Sequence, residues 1–474
     1  MKPMIHIIEC LSVSEKGKPA LSTIGWGAHM IGEEKDNSSI RPLAGLGSYT
    51  EASGPGYSVD RTVTLLRRYL YVEGETMRCL AAHLNGIPEW EAKCAISLHL
   101  WQDAEHGTWL RERVKELRTP PLYLDEVPDR ALATFFEELI CSETTAELLI
   151  GVYKVLKREL IRALRRHMAE ANPLADQPTM RILRFILLEE EEQLEWGLDA
   201  LASLLEHEKA SAEERGSLDA WKEHLRAYLS AAGGVPGDKE RVSEEDLPPR
   251  RAFGPFEPVR TPRRDGRFAR VWRSRGVRPE DISPHERDWW NLYVRLTEMH
   301  VPELLALVIY EWKDQPWEFY HDVARHLWDE ARHAMLGEVA FEARGANMFE
   351  VPHEIAFAEL PNTQFDPMER YMLLWGAEQG AMKGNTGKRH QHEIATVATD
   401  PLSITFHDFD WADEVLHVHI ARKWLKPLFD SREEMSQKAT ALWQTYERIM
   451  KEDCKLPERD VWWDEFYEKA RNLA

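Results

Sequence analysis

Cysteine is scarce in this chain of 474 residues: Cys10, Cys79, Cys94, Cys141 and Cys454 lie far apart, with no C-x-x-C pair. That spacing excludes a disulfide framework and argues against a thiolate zinc site. Long apolar runs are missing too. No stretch approaches the roughly 18 residues of a membrane span, and the early run from Met4 to Leu11 is broken by His6 and Glu9, too short and polar for a secretory core. Strand-like alternation is rare. Basic charge is outnumbered: Lys and Arg total 60 against 81 Asp and Glu, a net −21, which disfavours a generic nucleic-acid or anionic-membrane binder. The expectation is a soluble, reduced, cytoplasmic protein. With 43% hydrophobic residues it can bury sizeable cores, and its length suggests about two to four domains.

Residues 1–58 carry Gly/Ser/Pro clusters (Gly45-Leu46-Gly47-Ser48, Ser53-Gly54-Pro55-Gly56) without helical period, and read as an irregular N-terminal extension. Amphipathic segments follow at roughly 60–85, 89–117, 129–170, 178–207 and 211–231, forming a first bundle over 59–232. Residues 233–284 read as a linker. Its stretch 250–278 holds ten arginines, among them Arg250, Arg251, Arg263, Arg264, Arg267 and Arg270. Phe253, Phe256, Phe268 and Trp272 are too few for base stacking, so the preferred reading is a strap held across an acidic body by dispersed ion pairs. A second block, 285–474, shows helical segments near 285–313, 316–344, 366–385, 409–428, 431–452 and 457–472. The fold class is all-α.

Two segments 227 residues apart look alike. His99-Leu100-Trp101-Gln102-Asp103-Ala104-Glu105-His106 matches His326-Leu327-Trp328-Asp329-Glu330-Ala331-Arg332-His333 at five of eight positions, and Trp90-Glu91 matches Trp317-Glu318 at the same offset. The economical explanation is an internal duplication giving two tandem four-helix bundles.

An acid-x-x-His pair places both side chains on one helix face. Di-metal carboxylate bundles use two such pairs plus one Glu from each of two further helices. The sequence holds five acid-x-x-His pairs where chance alone gives about three; the count by itself says little. Requiring a second acid before the first leaves two, Asp329-Glu330-Ala331-Arg332-His333 and Asp413-Glu414-Val415-Leu416-His417, against roughly 0.5 by chance. Val323, His326, Glu330 and His333 share one face, and Trp411, Val418, Ala421 and Leu425 flank the other pair at helical spacing. Charges on such a stripe are costly unless paired or metal-bound. Glu298, with Glu303 as a fallback, comes level with Glu330 across the turn at Asp314–Pro316. Glu378 interrupts the stripe Tyr371, Leu374, Trp375, Met382. The expected set is Glu298, Glu330, His333, Glu378, Glu414 and His417; four carboxylates and two imidazoles suit two Fe ions, two Mn ions or one of each. His326 and His99 read as core or supporting histidines, Glu318/His321 and Glu350/His353 as surface pairs.

These motifs resemble the ferritin-like carboxylate diiron superfamily. They look like those of bacterial multicomponent monooxygenases and class I ribonucleotide reductase small subunits, and like uncharacterised bacterial ferritin-like families. The resemblance covers about 285–428 well and 60–207 weakly. It implies that the leading aspartates, Asp329 and Asp413, support ligating histidines. It also implies O2 chemistry, with Glu330 and Glu414 as the metal-bound carboxylates at the reacting centre. The expected function is an O2-dependent diiron oxidase or oxygenase for a small organic substrate, compatible with an external reductant and a homodimer. The alternatives are a ferroxidase and a metal-free helical scaffold. In the first bundle Asp103 and His106 have counterparts, with Glu73 or Glu75 on the helix before. Its last helix reads Glu189-Glu190-Glu191-Glu192-Gln193-Leu194-Glu195, so matching Glu192 to Glu414 leaves Glu195 where a histidine is expected. Glu138, Glu143 and Glu159 compete on the third helix. A degenerate scaffold is the first reading there, a carboxylate-rich metal site the second. The segment 383–408, with Lys383, Lys388, Arg389, His390 and His392, reads as an exposed loop, or alternatively as a gate for an anionic substrate.

Overall fold

The structure, a computed structural model, describes residues 40–118, 124–207, 210–268, 282–384, 386–453 and 462–473. Within them the chain is helical, with no β-strand. Residues 1–39, Arg270 and Trp272 lie outside this set.

In the first block, α1 (Val59–His83) starts on Ser58, whose hydroxyl accepts from the Arg61 N–H, and α2 (Trp90–Glu116) runs back beside it. The stretch read as one helix over 129–170 is instead broken. Asp129 caps α3 (Arg130–Leu139), Thr144 caps α4 (Thr145–Leu149), and α4 passes through a π-helical segment, Ile150–Lys157, into α5 (Arg158–Glu170). Then come α6 (Gln177–His207) and α7 (Ala212–Ala231).

In the second block, the helix expected over 285–313 is interrupted at Glu298–Met299, giving α8 (Pro284–Thr297) and α9 (His300–Glu311). They are followed by α10 (Trp317–Ala343), α11 (Ala356–Gln364) and α12 (Pro367–Ala381), the last capped by Asp366. Most of the expected loop 383–408 is helical: it contains α13 (Lys388–Ala398) and the first turns of α14 (Pro401–Leu425). The first turns of α13, Lys388-Arg389-His390-Gln391-His392-Glu393, hold no apolar residue, so periodicity gives little sign of a helix starting there. The chain closes with α15 (Arg432–Asp453) and α16 (Trp462–Ala470).

The two blocks share one apolar core, in which Leu66, Leu100 and Leu110 join Leu304, Val308 and Leu327. The motif helices α2 and α10 pack directly on each other. Trp317 fills a notch that exists because positions 74 and 107 are glycine; a Cβ on Gly107 would lie 2.6 Å from its ring. Trp101 and Trp328 stack with centroids 6.3 Å apart, and His321 Nε2 lies 2.8 Å from Glu105 Oε1. His321 thus joins the two helices instead of forming a surface pair with Glu318. His353, also expected at the surface, is fully buried against Trp90 and Phe268.

The described part of the arginine-rich stretch lies along the body through ion pairs. Arg250 reaches Glu137 and Glu138, Arg251 reaches Glu143 and Glu147, Arg260 reaches Glu311, and Arg267 reaches Glu91. Arg264 goes deeper, to Glu303 in the core.

A candidate metal centre between four helices

Four helices of the second block bring acids and imidazoles into its interior. From α10 come His326, Glu330 and His333, on one face by the i, i+4, i+7 rule; from α14 come Asp410, Glu414 and His417 at the same spacing. Glu378 enters from α12 and Glu298 from the C-terminal end of α8. Gly337, one turn beyond His333, lets α8 approach so closely that a Cβ there would lie 2.4 Å from the Leu296 nitrogen. All eight side chains are buried.

Two pockets of donors share Glu330. On one side, Glu330 Oε1 lies 3.1 Å from His417 Nδ1 and 3.6 Å from His326 Nε2, and His326 Nε2 lies 2.8 Å from Glu378 Oε1. On the other, His333 Nδ1 lies 3.6 Å from Glu330 Oε2, 3.6 Å from Glu298 Oε2 and 3.4 Å from Asp410 Oδ1. The ligand atoms of His326, Glu330, Glu378 and His417 all fall within 4.8 Å of one another, as do those of Glu298, Glu330 and His333, and those of His333, Asp410 and Glu414. His326, expected to play a supporting part, therefore stands among the donors.

The six residues expected from the sequence are thus brought together, with Asp410 and His326 added. Glu303, the fallback for Glu298, is not there: it is held by Lys93 and Arg264. Asp410 was legible in principle, since it lies four residues before Glu414 on a buried stripe that runs Ser403, His407, Asp410, Glu414, His417 and Ala421. Trp411, expected on that stripe, is only half-buried.

The leading aspartates act across the pair of helices. Asp413 Oδ2 faces His333 Nε2 at 3.1 Å, and Asp329 Oδ2 faces His417 Nε2 at 3.4 Å. Arg332 joins them, reaching Asp329 Oδ1 at 2.8 Å and Asp413 Oδ2 at 2.6 Å. Such contacts orient each ring with its other nitrogen turned inward.

Two cations lie inside the cluster. Lys388, expected in an exposed loop, is 4% exposed. Its Nζ reaches Asp410 Oδ1 and Glu414 Oε1 at 2.7 Å each and Glu298 Oε1 at 3.2 Å. Arg295 pairs with Asp410 and, at 2.8 Å, with Glu298.

Many inward atoms have no hydrogen-bond partner: both Glu378 oxygens, Glu298 Oε2, Asp410 Oδ2, Glu414 Oε2, His326 Nδ1 and Nε2, His333 Nδ1 and His417 Nδ1. His326 Nε2 and Glu378 Oε1 are close without hydrogen-bond alignment. Buried polar atoms left this way are expensive, and their convergence suits a divalent ion held by carboxylate oxygen and imidazole nitrogen. The field agrees. Burial pushes the His333 imidazole down, but Asp410, Asp413 and Glu330 outweigh it and lift the group to about 10. Burial pushes the Glu298 carboxyl up to about 7.

The first block holds a second cluster, in which ligand atoms of Glu73, Asp103, His106 and Glu190 lie within 4.8 Å of one another. Its contacts mirror the first set. His106 Nε2 lies 2.7 Å from Glu189 Oε2, as His333 faces Asp413; Gln193 Nε2 reaches Gln102 Oε1 at 3.1 Å and Asp103 Oδ1 at 3.3 Å, as His417 faces Asp329 and Glu330. Glu190 therefore answers to Glu414, and Gln193 to His417. The register expected from the sequence is two residues late: Glu192 and Glu195 are exposed. The buried positions Leu183, Ile186, Glu190, Gln193, Gly197 and Leu201 form the stripe that marks the correct register. None of Glu75, Glu138, Glu143 and Glu159 reaches the cluster; each pairs with a cation elsewhere. The π-helical segment supplies Lys157 instead, whose Nζ lies 2.9 Å from Asp103 Oδ1 and 2.6 Å from Glu190 Oε1.

Comparison with protein-family models, with curated proteins and with solved structures finds no match to this chain. Among the described residues, no helix is long and apolar enough to cross a membrane.

Proposed function

We propose that the second block is a ferritin-like four-helix bundle holding a carboxylate-bridged pair of Fe or Mn ions, and that the chain uses O2 to oxidise a small organic substrate. The first block is then its internal duplicate. The observation that carries this reading is Glu330, which turns one oxygen towards His326 and His417 and the other towards His333. A carboxylate placed so can be shared by two ions. The mirrored contacts of the two clusters support the duplication.

Two such ions, when bound, supply the redox capacity for O2 that no side chain here possesses. The residues of the chain do the rest. His326, Glu378 and His417 would hold one ion, Glu298 and His333 the other, with Glu330 common to both and Glu414 able to turn to either side. Asp329 and Asp413 fix the rings of His417 and His333. Lys388 and Arg295 offset the charge of five carboxylates and keep Glu298, Asp410 and Glu414 oriented. Lys388 Nζ also holds protons 2.7 Å from Glu414 Oε1, inside a site closed to bulk water.

The test is anaerobic loading with Fe(II), metal analysis after desalting, and O2 consumption in a single turnover. We expect about two ions per chain, most of them lost in Glu330→Ala. Asp103→Ala with His106→Ala should leave O2 consumption largely intact, and Glu414→Ala with His417→Ala should eliminate it. Full metal retention in a folded Glu330→Ala variant overturns the ligand assignment. Sustained oxidation of excess Fe(II) without organic substrate would favour an iron-handling role instead.

A further inference from the structure

Two of the differences between the clusters act in one direction. Where the second block has His417, the first has Gln193, a neutral amide in place of an imidazole. Where α12 of the second block supplies a carboxylate, Glu378, the π-helical segment Ile150–Lys157 of the first supplies an ammonium, Lys157. We infer that Lys157 is the resident cation of the first cluster, so that this half of the chain holds no divalent ion.

The geometry supports the substitution of ammonium for metal. Lys157 is 1% exposed, and its Nζ bonds Asp103 Oδ1 and Glu190 Oε1, one oxygen of each of the two carboxylates that face each other there. An ion bound to those oxygens at about 2.0–2.2 Å would lie against the ammonium and be repelled by it. Burial pushes the lysine down, but Asp103, Glu190 and Glu73 outweigh that and keep it protonated. The lysine closes the π-helical segment Ile150–Lys157, a type of local widening that recurs at functional positions. The rest of the cluster keeps its inward aim: both Glu73 oxygens, Asp103 Oδ2, His106 Nδ1 and Glu190 Oε2 have no hydrogen-bond partner. The donors are thus kept, with an ammonium set among them. Lys388 likewise holds one oxygen each of Glu298, Asp410 and Glu414, but it leaves the whole group His326, Glu330, Glu378 and His417 untouched, and the first cluster has no second group of that kind among the described residues.

The inference rests on the metal-centre reading only for its comparison between blocks, and its test separates the two. The full chain carrying Glu330→Ala and His417→Ala, with the second centre dismantled, is loaded with Co(II), desalted, and assayed for cobalt and for visible ligand-field absorption. Less than about 0.1 cobalt per chain is expected. Adding Lys157→Glu with Gln193→His should bring about one cobalt per chain, and a melting temperature that rises when cobalt is added. Near-stoichiometric cobalt in the first variant, lost on further change of Asp103 and His106 to Ala, overturns the inference. So does a folded Lys157→Glu, Gln193→His chain that gains none. Should that double change prevent folding, Lys157→Met in the otherwise native chain is expected to gain about one cobalt over the wild type; no gain overturns the inference equally. If the wild-type chain takes no cobalt, the metal-centre reading fails, while a gain in the Lys157 variants still upholds the inference.

Discussion

Removing the Glu303 carboxylate should destabilise the fold while sparing the metal centre. Glu303 is fully buried at the junction of α9, α2 and the arginine strap. Lys93 Nζ lies 2.5 Å from its Oε1 and Arg264 Nη2 2.7 Å from its Oε2, and both cations are themselves nearly solvent-free. Burial pushes the Glu303 carboxyl up, but Arg264 and Lys93 outweigh it and hold it below the usual range. In Glu303→Ala two buried cations lose their counter-charge. Breaking one such pair typically costs about 3–5 kcal/mol. Lys93, which burial already depresses to about 8, can shed its proton and limit the loss, so we expect the lower part of that range. For a chain of this size unfolding as one unit, that corresponds to a fall of about 3–5 °C in Tm, and about twice that if one block unfolds alone. Calorimetry and metal analysis of the same samples decide. Loss of metal with unchanged Tm would show that Glu303 is a ligand and refute the assignment of Glu298. The triple change Lys93→Met, Arg264→Met, Glu303→Leu should recover most of the stability, because apolar groups of similar size replace a buried ion cluster at little cost.

Other expectations follow from single contacts. Asp413→Asn weakens the carboxylate that orients His333, and metal affinity measured by competition with a chelator should fall about 10–100-fold; unchanged affinity would remove Asp413 from the support of that ring. Gly337→Ala sets a Cβ against the Leu296 backbone and should cost about 1–3 kcal/mol or more, together with metal, since α8 carries Glu298; urea unfolding and metal content should shift together. His167 is 1% exposed, and burial lowers its imidazole to about 4. The unfolded chain takes a proton near 6.5 and the folded one only near 4, so its contribution is constant above pH 6.5 and is lost as pH falls through that window. About 2 kcal/mol of it should be gone at pH 5. His167→Phe should flatten this part of the urea-midpoint profile, and equal acid sensitivity in both proteins would refute the argument.

The sequence by itself determined the helices and much of the centre. Spacing of i and i+3 put Glu330 with His333 and Glu414 with His417, and a lone acid on an apolar stripe identified Glu378. These are local facts, set by 3.6 residues per turn. Register within Glu189–Glu192 was not legible from the motif alone, because four equal charges in a row offer no contrast; only the apolar positions before and after it, Ile186 and Gly197, select Glu190 and Gln193. The break at Glu298–Met299, the π-helical turn that ends on Lys157, and the helix around Lys388 came from packing against neighbouring helices. No residue pattern within those segments demanded them. Tertiary structure alone decided what each buried charge meets. It sent Glu303 to Lys93 and Arg264, crossed Asp329 and Asp413 onto each other's histidines, and set a lysine into each cluster. Desolvation is the reason: once an acid is buried, its partner is whichever cation or imidazole the fold brings within about 3 Å, and that partner can lie anywhere along the chain.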